Sequence, residues 1–231
     1  MRRVRRRKRP PLPRCARPRS GPFRADRIPR PSGRPMSLRV TSEIGKLSSV
    51  LVHLPGPEID RMVPSMMEEL LFDDILFGER AREEHRRFQQ VLGHVTEEVL
   101  EVQDLLAEVL AVREHRDAIL EDLGRSLSWG EDMGDRLRDF SAEGLAAALI
   151  AGIEKPPQEA ARYASELYWL PPIPNYFFQR DPLVVVGNRA VRCSMATPAR
   201  RREPLLTGYF LGDFEVSMIP SDPPGITRLR I

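Results

Sequence analysis

An α/β fold carrying an inserted helical bundle is predicted by three features of this chain. Strand and helix patterns alternate over residues 48–102. Helical periodicity then dominates for about sixty residues. Strand character returns at Leu183, in the order strand, strand, helix, strand. The predicted division is a basic tail over residues 1–35, a first α/β unit over 36–103, a helical insert over 104–168 and a second, truncated α/β unit over 169–231.

In chain order, SSVLVHL (residues 48–54) is β-branched at its centre and stopped by Pro55-Gly56-Pro57, as a short buried strand would be. Residues 64–77 mix apolar and acidic side chains in a way that suits a helical turn followed by a loop. Residues 79–93 place opposite charges at helical spacing around Phe88, Val91 and Leu92, with Gly93 expected just past the end of the helix. A strand is predicted at 98–102. From Asp104 the apolar residues Leu105, Leu106, Val109 and Leu110, then Ile119, Leu120 and Leu123, recur at helical spacing. Further helices are predicted at 141–153, where Ser141 and Glu143 suit a first turn, and at 156–167, where paired prolines suit a start. After the break at Pro171, Pro172 and Pro174, LVVV (183–186) reads as a strand. Gly187-Asn188 reads as a turn and 190–195 as its hairpin partner, followed by a helix at 199–210 and a strand at 214–218.

The net charge of +3 conceals a division. Residues 1–35 hold fourteen of the 36 Lys and Arg with Asp26 as their one acid, a segment charge of +13, so the remaining body carries −10. The tail has eight of the 22 prolines, a single aromatic residue in Phe23 and little apolar pattern, so disorder is expected. It has no apolar core that would make it a secretory signal. A nucleic-acid arm, a solvated linker and a non-native overlong start all fit its composition. The lack of interleaved aromatics argues against nucleic acid, and Met36, just before the first patterned segment, points to the third. No apolar run is long enough to cross a bilayer, and Cys15 and Cys193 suggest neither a disulfide framework nor a metal site. A reduced, soluble, cytoplasmic protein is the expectation, with homo-oligomerisation left open.

Asp181 stands out among the polar residues. Three prolines stiffen its approach, and Pro182 keeps Asp181 itself out of helical geometry at the edge of a very apolar strand. A carboxylate there needs a partner. It either pairs with Arg180 or with one of Arg200, Arg201 and Arg202, or it faces a cleft and receives a planar cation bidentately. Cys193 has Arg192 beside it, but no histidine follows His115, so a Cys–His pair would need a histidine from the helical insert or earlier. His53, His85, His94 and His115 are each expected to be solvated.

SEIGKL (42–47), VLVHLPG (50–56), LLFDDI (70–75), EEH (83–85), LPPIPN with FQRDP (170–175 and 178–182) and PARRRE (198–203) occur in the order, and at gaps similar to those, of the arginine deiminases, which the chain resembles over most of residues 40–210. The resemblance implies a fan of five α/β units around a central cleft with an early helical insertion. It also implies hydrolysis of free L-arginine to L-citrulline and ammonia through a covalent intermediate on a cysteine, with no metal or organic cofactor. By position, Asp181 resembles the clamp for the substrate guanidinium and Phe178 the aromatic residue against the substrate stem. Asn175 and Arg200 resemble the pair that holds the α-carboxylate, Arg180 the arginine beside the clamp, and Leu71 the position whose backbone helps close the pocket. Two departures stand out: Gln179 replaces the usual Thr, and Pro204 replaces Thr after Glu203, where a proline is expected to end or shift the helix start. The family's nucleophilic cysteine, its acid/base histidine and a second guanidinium-binding carboxylate belong further along than residue 231. An incomplete or misread gene product, inactive alone, is therefore expected. The alternatives are a non-catalytic arginine-binding or nucleic-acid-binding fragment, which the basic tail and missing nucleophile would suit, and a related amidinotransferase or methylarginine hydrolase, against which the helical insert and the LPPIPN spacing argue.

Overall fold

Strand β1 (Ser49–Val52) pairs in parallel with β2 (Glu98–Glu101), Val50 opposite Val99 and Leu51 opposite Leu100, in a computed structural model that describes residues 38–127, 129, 131–156, 167–210 and 216–218. Parallel neighbours need a crossover. It is supplied by the short helix α1 (Pro57–Asp60), a 3-10 turn at Pro64–Met66, α2 (Met67–Leu70) and the long α3 (Gly78–Val95). The strand, helix, strand order over 48–102 is thus observed. Helix α3 does not stop at Gly93: it runs on to Val95, and Thr96 in an extended conformation ends it. Leu92 still accepts from the Thr96 N–H, so the helical ladder passes over the glycine. Glycine in a helix interior costs only about 1 kcal/mol.

Four helices follow: α4 (Val102–Leu110), α5 (Arg113–Leu127), α6 (Glu131–Arg138) and α7 (Ala142–Ala151). Val102, Leu105, Leu106, Val109 and Leu110 form one apolar stripe on α4 and are all buried. They pack mainly on α7, whose alanines at 146, 148 and 151 let the two helices approach closely. Leu106, Leu110, Ile119, Leu123, Leu145 and Leu149 are fully buried, each contributing about 1.5–3 kcal/mol. Ser141 caps α7, its hydroxyl accepting from the Gly144 N–H at 3.0 Å. At the other end Gly152 has φ +77, and an added Cβ would lie 2.5 Å from the Leu170 carbonyl oxygen, so glycine is required there. Arg61 donates to the last carbonyls, Ala151 at 2.8 Å and Gly152 at 2.9 Å.

The chain then forms a small antiparallel pair that the sequence pattern did not predict, β3 (Ile153–Glu154) with β4 (Tyr168–Leu170). The helix expected at 156–167 falls, except for its two end residues, outside the described residues, as does the tail. Strand β5 (Leu183–Val186) turns at Gly187, φ +61, into β6 (Arg189–Arg192), and helix α8 (Arg202–Phe210) leads to β7 (Val216–Met218), parallel to β6. The order strand, strand, helix, strand is as predicted. One shift is informative: the helix expected from 199 opens as a 3-10 turn (Pro198–Arg200), and α8 proper starts at Arg202. Pro204 lies in its first turn, where the missing N–H has no helical acceptor to lose. The proline is accommodated rather than disruptive. Mixed helix and strand with small sheets is compatible with an α/β fold. No helix among the described residues is long and apolar enough to cross a membrane.

Candidate functional site

Leu71 ends α2 with φ +60 and is the one non-glycine residue with positive φ among those described. A leucine in left-handed geometry costs on the order of 1 kcal/mol, and strain of this kind concentrates where a backbone must be aimed. The loop is held from a distance. Asn175, buried in the 3-10 turn Pro174–Phe177, donates its side-chain N–H to the Leu70 carbonyl at 2.7 Å. On the other side, α2 packs against the 3-10 turn that carries Arg200.

Arg200 is the most heavily bonded cation of this region. Its Nε donates to Glu203 Oε1 at 2.9 Å, and its Nη2 donates both to Glu203 Oε2 and to Asp181 Oδ2, each at 2.8 Å. Glu203 is fully buried, whereas the Asp181 side chain is 45% exposed. Burial works against the Arg200 cation, yet the bonds from Glu203 and Asp181 outweigh it and raise its pKa. Burial raises the Glu203 pKa above the usual carboxylate value, with Arg200 opposing. Asp181 has therefore taken the partner that its sequence position demanded, the Arg200 guanidinium, while half of it still faces solvent. Arg202, the neighbour of Glu203, points inward to the Pro171 carbonyl, and its burial pulls its pKa down to about 9.

Phe178 caps the turn that carries Asn175, its ring tilted by 41° against Phe177 with centroids 4.1 Å apart, and is 47% exposed, so it is not a core residue. Arg180 does not join the cluster. It pairs with Glu43 at the surface, tying the segment after Val40 to this loop, and Val40 itself bridges to Gly187. The structure thus links Leu71, Asn175, Asp181 and Arg200 through three elements, leaves Phe178 at the surface beside them, and directs Arg180 elsewhere. A cleft of about 820 Å³ between the turn after β1 and α3 is lined by Leu54, Gly56, Arg82, Arg86, Gln89 and Glu101 but by none of the six.

The family model for arginine deiminase matches residues 68–128 and 142–216, more than half of the chain. The chain belongs to the arginine deiminase family. An arginine deiminase of Listeria monocytogenes is 33% identical over 187 residues, covering 76% of this chain and 46% of that protein. Those of Limosilactobacillus reuteri and Bacillus cereus are 34% identical over 188 and 190 residues, each covering 75% of this chain and 46% of the relative. The chain spans about half the length of the curated relatives it matches.

Within this arginine deiminase family chain, the remaining nucleophile and acid/base candidates lie badly for catalysis. Cys193 follows β6, half-buried, and burial followed by the Asp181 charge pushes its thiol pKa up, the opposite of what an attacking thiolate needs. His94 is at the surface as expected. The expectation of solvation fails for His53, which is 1% exposed because the end of β1 meets α1 and β2 there. Its Nδ1 lies 2.8 Å from Glu101 Oε1 and its Nε2 3.2 Å from Glu58 Oε1. Burial opposes its charge, but the two carboxylates prevail and raise its pKa to about 9. His85 and His115 also depart from expectation: each has a buried Nδ1 with no hydrogen-bond partner among the described residues. Sequence reasoning missed the Glu58–His53–Glu101 and Arg200–Glu203 pairings. The only available signals were a His and Glu five apart around a Pro-Gly-Pro turn and an Arg–Glu pair at helical spacing.

Proposed function

We propose that the 231 residues supply the arginine-binding half of an arginine deiminase site, for hydrolysis of free L-arginine to L-citrulline and ammonia. The observation that carries the reading is the half-exposed Asp181 carboxylate 2.8 Å from the buried Arg200 guanidinium. Free arginine presents a planar cation at one end and a carboxylate at the other, and these two side chains are the complementary pair. In this reading Asp181 clamps the substrate guanidinium and Arg200 with Asn175 holds the α-carboxylate. Phe178 covers the aliphatic stem, the strained Leu71 backbone helps close the pocket, and Arg180 steadies the clamp loop through Glu43. The family likeness over three quarters of the chain supports the same assignment. The units on either side of the helical insert then belong to a five-unit α/β propeller in a cytoplasmic enzyme that uses no cofactor.

Binding alone does not catalyse the reaction. Addition to a resonance-stabilised guanidinium needs a thiolate and a proton donor. Cys193 lies near Asp181, its backbone N–H donating to the Pro182 carbonyl at 3.0 Å, but burial and the Asp181 charge hold its thiol protonated, and none of the four histidines bonds to either residue. The isolated chain is therefore an arginine binder without turnover, and activity requires the cysteine and histidine of the rest of the family fold. The test is citrulline release from arginine by the purified chain and by the chain joined in frame to the carboxy-terminal half of a curated relative. The joined protein is expected to turn over and Asp181→Ala in it to lose most activity, since orienting the reacting carbon is worth several kcal/mol, on the order of 10²-fold or more. Turnover by the chain alone that vanishes in Cys193→Ser refutes the division into halves. A joined enzyme indifferent to Asp181→Ala refutes the site.

A further inference from the structure

The arrangement around Arg200 is asymmetric in a way that the binding reading does not use. The guanidinium has a side edge, Nε with Nη2, and an end edge, Nη1 with Nη2. Glu203 takes the side edge bidentately with both oxygens, at 2.9 and 2.8 Å, from a fully buried position. Asp181 takes the end edge through Nη2 only, from a side chain nearly half exposed. Nη1 makes no hydrogen bond among the described residues. Two carboxylates therefore share one cation, one fixed and one able to leave. The Arg202 guanidinium is buried beside them, and Glu203 in turn lowers the cost of burying it.

We infer that Glu203 is a positioning residue of this site, a permanent counter-ion that keeps Arg200 neutralised while Asp181 lets go of it to take a ligand's guanidinium. The inference rests on the proposed roles of Asp181 and Arg200. In the ligand-free state the two binding groups satisfy each other. An entering zwitterion splits that pair: its guanidinium takes Asp181, and its carboxylate docks on the vacated end edge of Arg200, where Nη1 and Nη2 offer a parallel pair of donors. One ion pair is exchanged for two, and at no point is Arg200 left buried without an anion, the condition that makes breaking a buried pair costly. The ligand class so selected is a free amino acid with a cationic planar side chain. A ligand that lacks the carboxylate leaves the end edge of Arg200 unfilled and depends wholly on Glu203.

That dependence gives a readout that a merely structural role for Glu203 would not move. L-arginine and its decarboxylated analogue agmatine are titrated calorimetrically into the 231-residue chain and its variants, with circular dichroism as the check on folding. Glu203→Gln should weaken both ligands, but agmatine by about tenfold more than L-arginine, because only arginine brings a replacement anion to Arg200. Glu203→Asp, which keeps the charge, should return the ratio towards that of the wild type. Without ligand, the Arg200 Nε–H should give a slowly exchanging nitrogen-15 NMR signal that survives Asp181→Asn and loses its protection in Glu203→Gln. Equal weakening of both ligands, or an Nε–H protected in Glu203→Gln, overturns the inference while leaving the binding reading intact. Failure of the wild-type chain to bind L-arginine overturns the binding reading itself and the ion exchange with it. Should Glu203→Gln not fold, Asp181→Asn decides: loss of Nε–H protection in that variant shows that Asp181 holds Arg200 and refutes the assignment.

Discussion

Raising the pH through the range in which a free histidine has already lost its proton should loosen this protein at one identifiable place. His53 lies between Glu58 and Glu101 with its charge held up to a pKa of about 9, against 6.5 for an ordinary imidazole. Because the folded-state value is the higher, the associated stability is complete below pH 6.5. It falls as the pH rises, since the unfolded chain gives up this proton first, and is gone above about pH 9. At about 1.4 kcal/mol for each pH unit that separates the folded and unfolded values, the loss is on the order of 3 kcal/mol, a large share of the ~5–15 kcal/mol that holds an ordinary domain together. His85, held below its ordinary value first by burial, titrates beneath this window. Urea unfolding midpoints at pH 6.5, 7.5, 8.5 and 9.5 measure the loss. His53→Gln supplies the control: it should cost about 3–5 kcal/mol at pH 6.5, because Glu58 is left buried without its cation. It should also flatten the pH dependence over the window. If the variant does not fold, Glu101→Gln should narrow the window by lowering the His53 pKa. A wild type and a His53→Gln variant that lose the same stability between pH 6.5 and 9.5 would refute the buried-cation account.

Three further outcomes follow from the packing. Ser141→Ala removes the cap that accepts from Gly144 at 3.0 Å and should lower stability by about 1 kcal/mol in thermal melts, with Ser141→Asp retaining most of it. Gly152→Ala places a Cβ 2.5 Å from the Leu170 carbonyl oxygen at φ +77 and should cost about 1–3 kcal/mol, measured by urea midpoint. Leu149→Ala, at a fully buried position on α7, should cost about 2–5 kcal/mol at neutral pH with no change in the slope of stability against pH.

The hairpin of β5 and β6 and the stripes of α4 and α5 were legible because each is a local pattern: a β-branched run meeting Gly187-Asn188, or leucines at helical spacing. The β3–β4 pair was not, since two and three residues are too few to show a period and their pairing spans residues far apart in sequence. Gly93 misled because the glycine that often ends helices is here carried through by the α3 ladder. For the site, the type of partner was readable and its identity was not. Pro182 and the apolar strand after Asp181 required a cation, and four arginines qualified. Only the 3-10 turn at Pro198–Arg200 selected Arg200 over Arg180, which the Glu43 contact draws away. The carboxylates around His53 were hidden for a similar reason, since one of them lies 48 positions away.

The bond from Asn175 to the Leu70 carbonyl joins residues 105 positions apart. That separation is also an interval of time. At about 5–20 residues per second of synthesis, the strained turn at Leu71 leaves the ribosome roughly 5–20 s before the amide that steadies it. During that interval helices α4 and α5 emerge and can meet through local contacts, while the turn has only its own local bonds, from the Leu71 N–H to the Glu68 carbonyl and from the Phe72 N–H to the Met67 carbonyl. Its final geometry is set late, by a segment made only after the helical bundle is complete. Substitutions at Asn175 should therefore act on the shape of the Leu71 turn in the finished protein and leave the early assembly of the bundle untouched.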